Sequence, residues 1–289
     1  MASCRVSVII PTYNRSWCLA EAIDSVLSQT HNNMELIVVD DGSTDETPGL
    51  LSRYGSRLRC LRQTNRGVSA ARNHGIQAAD GVLIAFLDSD DTWQPDKLAR
   101  QVEFFNRQPD AKICQTEETW IRRGVRVNPK RRHRKPSGWI FEASLALCLV
   151  SPSAVMMRRE LLEEMGGFDE SLAACEDYDL WLRVSLRYPI HLIDDALVVK
   201  RGGHDDQLSR QHSLDRYRIQ SLAKIISSEG ISDDQALAAA AMLRKKCRIY
   251  AAGCRKHGRI KEAKAYEMLA EQDRAQRLDP DHALQGVLK

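Results

Sequence analysis

Carboxylates that could do chemistry gather at three places in this chain. The first is Val38-Val39-Asp40-Asp41-Gly42-Ser43, two adjacent acids directly after an apolar run. Asp41 could accept a hydrogen bond from a base or ribose, and Tyr13, in Pro11-Thr12-Tyr13-Asn14, could stack on a ring. Alone, Asp41-Gly42-Ser43-Thr44 reads equally well as a turn, with Ser43 or Asp45 capping the next helix. The second place is Phe86-Leu87-Asp88-Ser89-Asp90-Asp91, whose carboxylates repel one another unless a cation or hydrogen-bond donors intervene. Hard divalent cations prefer oxygen ligands, and Mg²⁺ commonly takes one or two carboxylates plus substrate phosphates. Asp88 and Asp90 point the same way in extended chain, so both could address one diphosphate-bound ion. A lone D-x-D is common by chance and also suits a turn with an N-cap.

The third place is Cys175-Glu176-Asp177-Tyr178-Asp179-Leu180-Trp181-Leu182-Arg183. Asp177 lies at a helix start, where the helix dipole stabilises a carboxylate, and capping alone would account for it. About 100° per residue puts Asp177 and Asp179 roughly 200° apart, so they cannot share one task. Burial of Leu180, Trp181 and Val184 against a sheet would hold Asp177 at a cleft edge, a position that suits a general base. Arg72, in Asn65-Arg66-Gly67-Val68-Ser69-Ala70-Ala71-Arg72-Asn73-His74-Gly75, could reach a nucleotide or lie on an ordinary helix surface. His204, in Arg201-Gly202-Gly203-His204, could ligate a metal or touch a diphosphate, although a lone loop histidine is more often merely exposed.

These residues need elements to hold them. Val6–Pro11, Leu36–Asp40, Leu58–Arg62 and Val82–Leu87 are short apolar runs that read as buried strands. Between them Trp17–Gln29, Asp45–Tyr54 and Ser69–Ala79 have helical spacing, and another helix follows Pro95. Strand–helix alternation predicts an α/β fold with a mostly parallel, Rossmann-like sheet flanked by helices, binding ligands at the carboxyl ends of its strands. Further on, Trp139–Leu149, Arg159–Met165 and Glu176–Tyr188 read as helices, and His191–Lys200 as a strand. From about Ser213 no strand pattern remains; Ala236–Gly253 and Ile260–Arg274 read as helices of a C-terminal helical appendage.

The 289 residues include 42 Lys and Arg against 39 Asp and Glu, a formal net charge of +3. That total conceals a split. Between Ile121 and Ile140 there is no acid but eight cations: Arg122, Arg123, Arg126, Lys130, Arg131, Arg132, Arg134 and Lys135. Without those eight the chain stands at −5. The stretch Arg122–Gly138 reads as an exposed loop, either solvated or touching an anionic acceptor. The 8 cysteines lack any C-x-x-C pair and read as reduced thiols. The longest uncharged apolar-rich stretch, Ala143–Met157, falls short of the about 20 residues a membrane span needs. With no signal-peptide pattern at the start, a cytoplasmic protein is the expectation, with peripheral membrane contact left open.

In this order, Val6–Asn14, Glu35–Thr47, Asn65–Gly75, Phe86–Leu98, Ser153–Leu172 with Gly166-Gly167-Phe168-Asp169, and Glu176–Arg183 resemble the family 2 glycosyltransferases of GT-A fold. The resemblance spans roughly residues 4–212. It implies a glycosyltransferase domain over 1–212, with a nucleotide-sugar half over 1–110 and an acceptor half over 111–212, followed by the appendage over 213–289. It also implies inverting transfer from a nucleotide-diphosphate sugar to a hydroxyl, in cell-surface polysaccharide or glycoconjugate synthesis, with Mn²⁺ or Mg²⁺. Uridine is the family's commonest nucleotide. Pro11, Tyr13, Asp41 and Arg72 match nucleotide-holding positions, Asp88 and Asp90 the D-x-D, Asp177 the general base, and His204 a less uniform metal or diphosphate contact. The acceptor class implied is a glycan or a lipid-linked sugar, and the helical tail offers a surface for a second copy.

Two other classes share part of this pattern. A sugar nucleotidyltransferase would carry a Gly-rich phosphate loop after the first strand, where Pro11-Thr12-Tyr13-Asn14 has none. A nucleic-acid-binding module is suggested only by the basic stretch, whose aromatic neighbours Trp120 and Trp139 flank rather than interleave it. No nucleic-acid partner is therefore expected.

Overall fold

The computed structural model describes residues 4–128, 130–204, 207 and 213–271. Every residue of Val6–Thr12 (β1) is buried. It pairs in parallel with Met34–Asp40 (β2) on one side and Leu83–Phe86 (β4) on the other, while Arg59–Arg62 (β3) lies outside β2. Strands apolar on both faces need cover on both. Leu19–Leu27 (α1), Thr47–Ser52 (α2) and Lys97–Arg107 (α4) cover one face, packing Leu19, Ile23, Leu51, Leu98 and Val102 against Val8, Ile10 and Val38. Val68–Ala78 (α3), Arg159–Met165 (α6) and Glu176–Arg187 (α7) cover the other, bringing Ala71, Leu161, Leu180 and Trp181 to Ile9, Ile37 and Phe86. Gly75 sets how closely α3 approaches: a Cβ there would come within 2.5 Å of Ile9 Cγ2.

Among the described residues the sheet has nine strands. Thr92–Trp93 (β5), Ile113–Arg122 (β6), Val125–Val127 (β7), Val155–Arg158 (β8) and His191–Gly202 (β9) complete it. Their order is β3-β2-β1-β4-β8-β6-β9-β5, with β7 paired to β6. Parallel pairing covers β1 to β4, as expected, and also a long β6–β9 ladder, although no strand was expected over β6; β8 runs antiparallel between β4 and β6. Two expectations change. The basic stretch is a β6–β7 hairpin, followed by a short 3-10 turn at Arg131–His133, rather than a plain loop. The helix expected over Trp139–Leu149 is the single turn Phe141–Ser144 (α5). The carbonyls after it serve tertiary partners instead: Leu145 O accepts from Tyr178 Oη at 2.7 Å and Ala146 O from Lys246 Nζ at 3.1 Å.

Leu214–Ile226 (α8), Asp233–Lys256 (α9) and Ile260–Glu271 (α10) form the helical appendage. Ser232 and Gln235 make a reciprocal capping box at the start of α9. The helices share a core with the domain before them, in which Ile219, Leu222, Leu243 and Tyr250 meet Phe141, Tyr178, Leu182 and Leu186. The last residues of the helix expected to reach Arg274 lie outside the described residues. Among those described, no helix is long and apolar enough to cross a membrane. All eight cysteines are free thiols.

Candidate active site

The carboxyl ends of β1, β2 and β4 open onto a cavity of about 910 Å³. Pro11, Tyr13, Asp41, Arg72, Asp88, Asp90 and Asp177 all line it. The chain arrives there through Asn14, whose positive φ of 52° turns it out of β1. Asn14 Oδ1 then accepts from Thr44 N at 2.8 Å, joining the turns after β1 and β2. Asp40 takes the turn-forming part, accepting from Ser43 N at 2.9 Å, and Asp45 accepts from Thr47 N at the start of α2. Asp41 is buried and accepts three hydrogen bonds, from Arg66 N at 2.9 Å, Gly67 N at 2.8 Å and Gln63 Nε2 at 2.8 Å. It thereby shapes the 63–67 loop that walls the cavity. Tyr13 is 43% exposed on the cavity lining, open to a planar ring.

Arg72 is not a free surface cation. Its guanidinium is buried and bonds Asp88 Oδ1 at 2.8 Å and Glu176 Oε1 at 2.6 Å, with Phe168 beneath it at 5.0 Å. Burial works against its charge, but the two carboxylates hold it firmly protonated. Burial also pushes Glu176 upward against the pull of Arg72. One residue thus ties α3 to the D-x-D and to the start of α7. Asn73, next to it, clamps Phe168 through Nδ2 to O at 2.8 Å and Oδ1 from N at 2.9 Å.

Asp90 Oδ2 and His204 Nε2 lie 2.7 Å apart, and the imidazole packs edge-on against Trp17. Asp91 turns inward, accepting from Ser153 Oγ at 2.6 Å and Arg201 N at 2.8 Å. Burial drives its carboxyl well above the ordinary range despite Lys200 nearby. Among the described residues no three His, Cys, Asp or Glu side chains converge to hold a metal by themselves. Asp90 and His204 offer one oxygen and one nitrogen donor, and Asp88 is engaged by Arg72. That set suits a cation whose remaining ligands are phosphate oxygens and water.

Asp177 stands at the start of α7, after Cys175, which adopts a left-handed φ of 61°. Its Oδ1 accepts from Tyr178 N at 2.7 Å and its Oδ2 from Cys148 Sγ at 3.5 Å. Asp179 points elsewhere, held by Arg183 Nε at 2.9 Å and Lys224 Nζ at 2.8 Å. The second half of the cavity comes from residues with no motif of their own. Glu118, in β6, is buried and accepts from Lys135 Nζ at 3.0 Å and Trp120 Nε1 at 2.9 Å. Burial opposes its charge, yet Lys135 and Lys200 hold it down to about 2. Lys200 bonds Ser151 Oγ at 2.9 Å; against burial, Glu118, Asp91, Asp88 and Asp177 push its pKa above the ordinary value. The one sequence signal for Lys200 is a cation ending the apolar run Leu197-Val198-Val199. Of the basic hairpin, Arg122 and Lys135 line the cavity; Arg131, Arg132 and Arg134 are exposed and do not.

The comparisons with known proteins fit this geometry. The Glycosyl transferase family 2 profile matches residues 7–166. An uncharacterized glycosyltransferase of Rickettsia felis is 32% identical over 221 residues, covering 72% of this chain and 36% of that protein. The putative teichuronic acid biosynthesis glycosyltransferase TuaG of Bacillus subtilis is 44% identical over 103 residues, 34% of this chain and 41% of TuaG. The crystal structure of S. aureus TarS 1-349 in complex with UDP-GlcNAc superposes with a TM-score of 0.70 at 21% identity, covering 92% of this chain and 79% of TarS 1-349. It shares the GT-A fold, with its curled, mostly parallel sheet flanked by helices. The chain spans about a third to two thirds of the length of the curated relatives it matches. With a profile matched over more than half of its residues, this chain belongs to glycosyltransferase family 2.

Proposed function

We propose that the chain transfers a sugar, with inversion, from a nucleotide-diphosphate sugar to a hydroxyl of a glycan or lipid-linked acceptor, in cell-surface polysaccharide synthesis. The observation that carries this is the convergence of Tyr13, Asp41, Arg72, Asp88, Asp90 and Asp177 on one cavity. A uridine nucleotide is favoured by the UDP-GlcNAc complex of TarS, and polysaccharide synthesis by the name of TuaG. In this reading Tyr13 stacks on the base while Asp41 holds the wall around it. Asp90 and His204, aided by Asp88, would hold Mn²⁺ or Mg²⁺. When bound, that ion neutralises the charge developing on the departing diphosphate.

Displacement at the anomeric carbon requires an acceptor hydroxyl stripped of its proton on the opposite side. Asp177 is the group for this: among the described residues its Oδ2 accepts a hydrogen bond only from the weak thiol donor of Cys148, which leaves the oxygen able to receive a proton. Arg72 keeps Asp177 in register with the donor side through Glu176. Lys200 and Lys135 compensate the buried acids Glu118 and Asp91, so that the acceptor half stays folded around a charged centre.

A donor panel of UDP-, dTDP- and GDP-sugars with Mn²⁺ or Mg²⁺ tests the reading by nucleotide release and thermal shift. Asp177→Asn should lower transfer by about 10²- to 10⁴-fold while donor binding persists. Asp90→Ala should remove the metal dependence of donor binding. Failure of every nucleotide diphosphate to bind in either metal would sink the transferase reading.

A further inference from the structure

The appendage reaches the cavity. Leu214 and Arg218 of α8 line it together with Cys148, Cys175 and Asp177. Arg218 Nη1 donates to Asp215 Oδ1 at 3.1 Å, and Lys246 Nζ, from α9, donates to that same oxygen at 3.3 Å. Two cations therefore share one carboxylate, leaving one positive charge over. Of the other cavity cations, Arg72 is matched by Asp88 and Glu176, Lys135 by Glu118 and Arg201 by Glu21, while Arg122 is exposed and lies over the Trp120 ring. Lys200 sits among four acids. The Arg218 side chain is 21% exposed, and its Nε is buried with no hydrogen-bond partner among the described residues. A planar guanidinium with unmade N–H bonds and surplus charge, on a cavity wall, is a site for an oxyanion.

We propose that Arg218 forms an acceptor subsite for an anionic group, a phosphate ester or a carboxylate, carried beside the hydroxyl that Asp177 deprotonates. The proposal rests on reading this cavity as the transferase site. Arg218 stands within electrostatic reach of Cys148 and Cys175, the two thiols that flank Asp177. The D-x-D, where a donor diphosphate would lie, already has Arg72 and His204. The charge that Arg218 carries is thus on the Asp177 side of the cavity. Lys246 Nζ also holds Ala146 O at 3.1 Å, so the same cluster fixes the 145–150 loop that supplies Cys148.

The test uses the full chain saturated with UDP and Mg²⁺, so that the donor side is filled. Inorganic phosphate, methyl glucuronide and neutral methyl glucoside are then titrated by calorimetry. At least one of the two anions should bind and the neutral sugar should not; whichever anion binds tighter identifies the source of the charge. Arg218→Met should weaken anion binding on the order of tenfold or more. Asp215→Asn, which frees Arg218 from its competitor, should strengthen it. Opposite signs cannot come from simple damage to α8, and thermal melting verifies that both variants fold. Anion binding equal in Arg218→Met and the parent, the same direction of change in both variants, or no anion binding to the UDP-loaded protein overturns the proposal. Failure to bind UDP at all would instead strike the transferase reading beneath it.

Discussion

Arg72→Met is the perturbation that asks most of this structure. The guanidinium side chain is 4% exposed and Glu176 is 7% exposed, so the substitution leaves a carboxylate buried without its partner. Breaking a buried pair from one side costs about 3–5 kcal/mol, most of it the penalty on the charge left behind. Asp88, at 28% exposed, reaches solvent and adds at most about 1 kcal/mol. Loss of the Phe168 face beneath the guanidinium adds about 0.5–2 kcal/mol. Urea unfolding of Arg72→Met should therefore show a deficit of about 3.5–8 kcal/mol at pH 8.

The deficit should depend on pH in a definite direction. Glu176 already has its pKa raised by burial, and without Arg72 it rises further. A carboxyl whose folded pKa lies above its unfolded one binds more protons when folded, so stability falls as pH climbs between the two values. Arg72→Met should thus be closer to the parent at pH 5 than at pH 8. The double variant Arg72→Met/Glu176→Met should recover most of the stability, because no lone charge remains. Transfer should not return with it, since Asp88 and the start of α7 have still lost their common tether. A deficit under about 1 kcal/mol at pH 8, or a double variant no better than the single, would refute this account of the bridge.

Lys97 gives a second linkage test: it is fully buried, donates to Gln101 Oε1 at 2.7 Å, and burial lowers its pKa to about 7. Its folded pKa lies below the unfolded one, so from pH 7 to 10 it should add about 1.4 kcal/mol of stability per pH unit. Lys97→Met should abolish that slope and be the more stable protein at pH 7; matching slopes in denaturant melts would count against it. Neutralising Arg131, Arg132 and Arg134 together should leave the acceptor KM within about twofold, because these side chains do not line the cavity. A KM rise as large as that from Trp120→Ala would return them to the site.

The first half of the domain was legible because its strands are continuous apolar runs, as in Val6–Thr12 and Met34–Asp40, and helical spacing separates them. Three strands of the second half, β6, β7 and β8, were not. Ile113–Arg122 carries Gln115, Thr116, Glu117 and Glu118, a polar series that no strand pattern covers. It is a strand because Lys135 and Trp120 satisfy Glu118 and because β9 supplies a long parallel partner. Val155–Arg158 fell unassigned between the helices expected over Trp139–Leu149 and Arg159–Met165, and is a strand because β4 and β6 pair with it on both sides. The carboxylates of the site were visible as residues. That Arg72 would spend its guanidinium on Asp88 and Glu176 was not, because the partners lie 16 and 104 positions away.

Contacts across long separations also tie the helical tail to the cavity. Helix α7 carries Asp177 on its first turn, and a base placed there is only as well positioned as the helix itself. Arg72 grips Glu176 from α3, Asn73 clamps Phe168 next to it, and Lys224 reaches from α8 to both Asp179 and Asp169. Asp179 is buried and already bonded to Arg183, so Lys224 is not needed to neutralise it. What Lys224 adds is a connection between the appendage and the helix that bears Asp177. The tail also lends Arg218 to the cavity wall and Lys246 to the 145–150 loop. An appendage that merely lengthened the chain would have no reason to place Lys224 against α7 and Lys246 against the 145–150 loop. Its contacts make it one wall of the cavity that Asp177 lines.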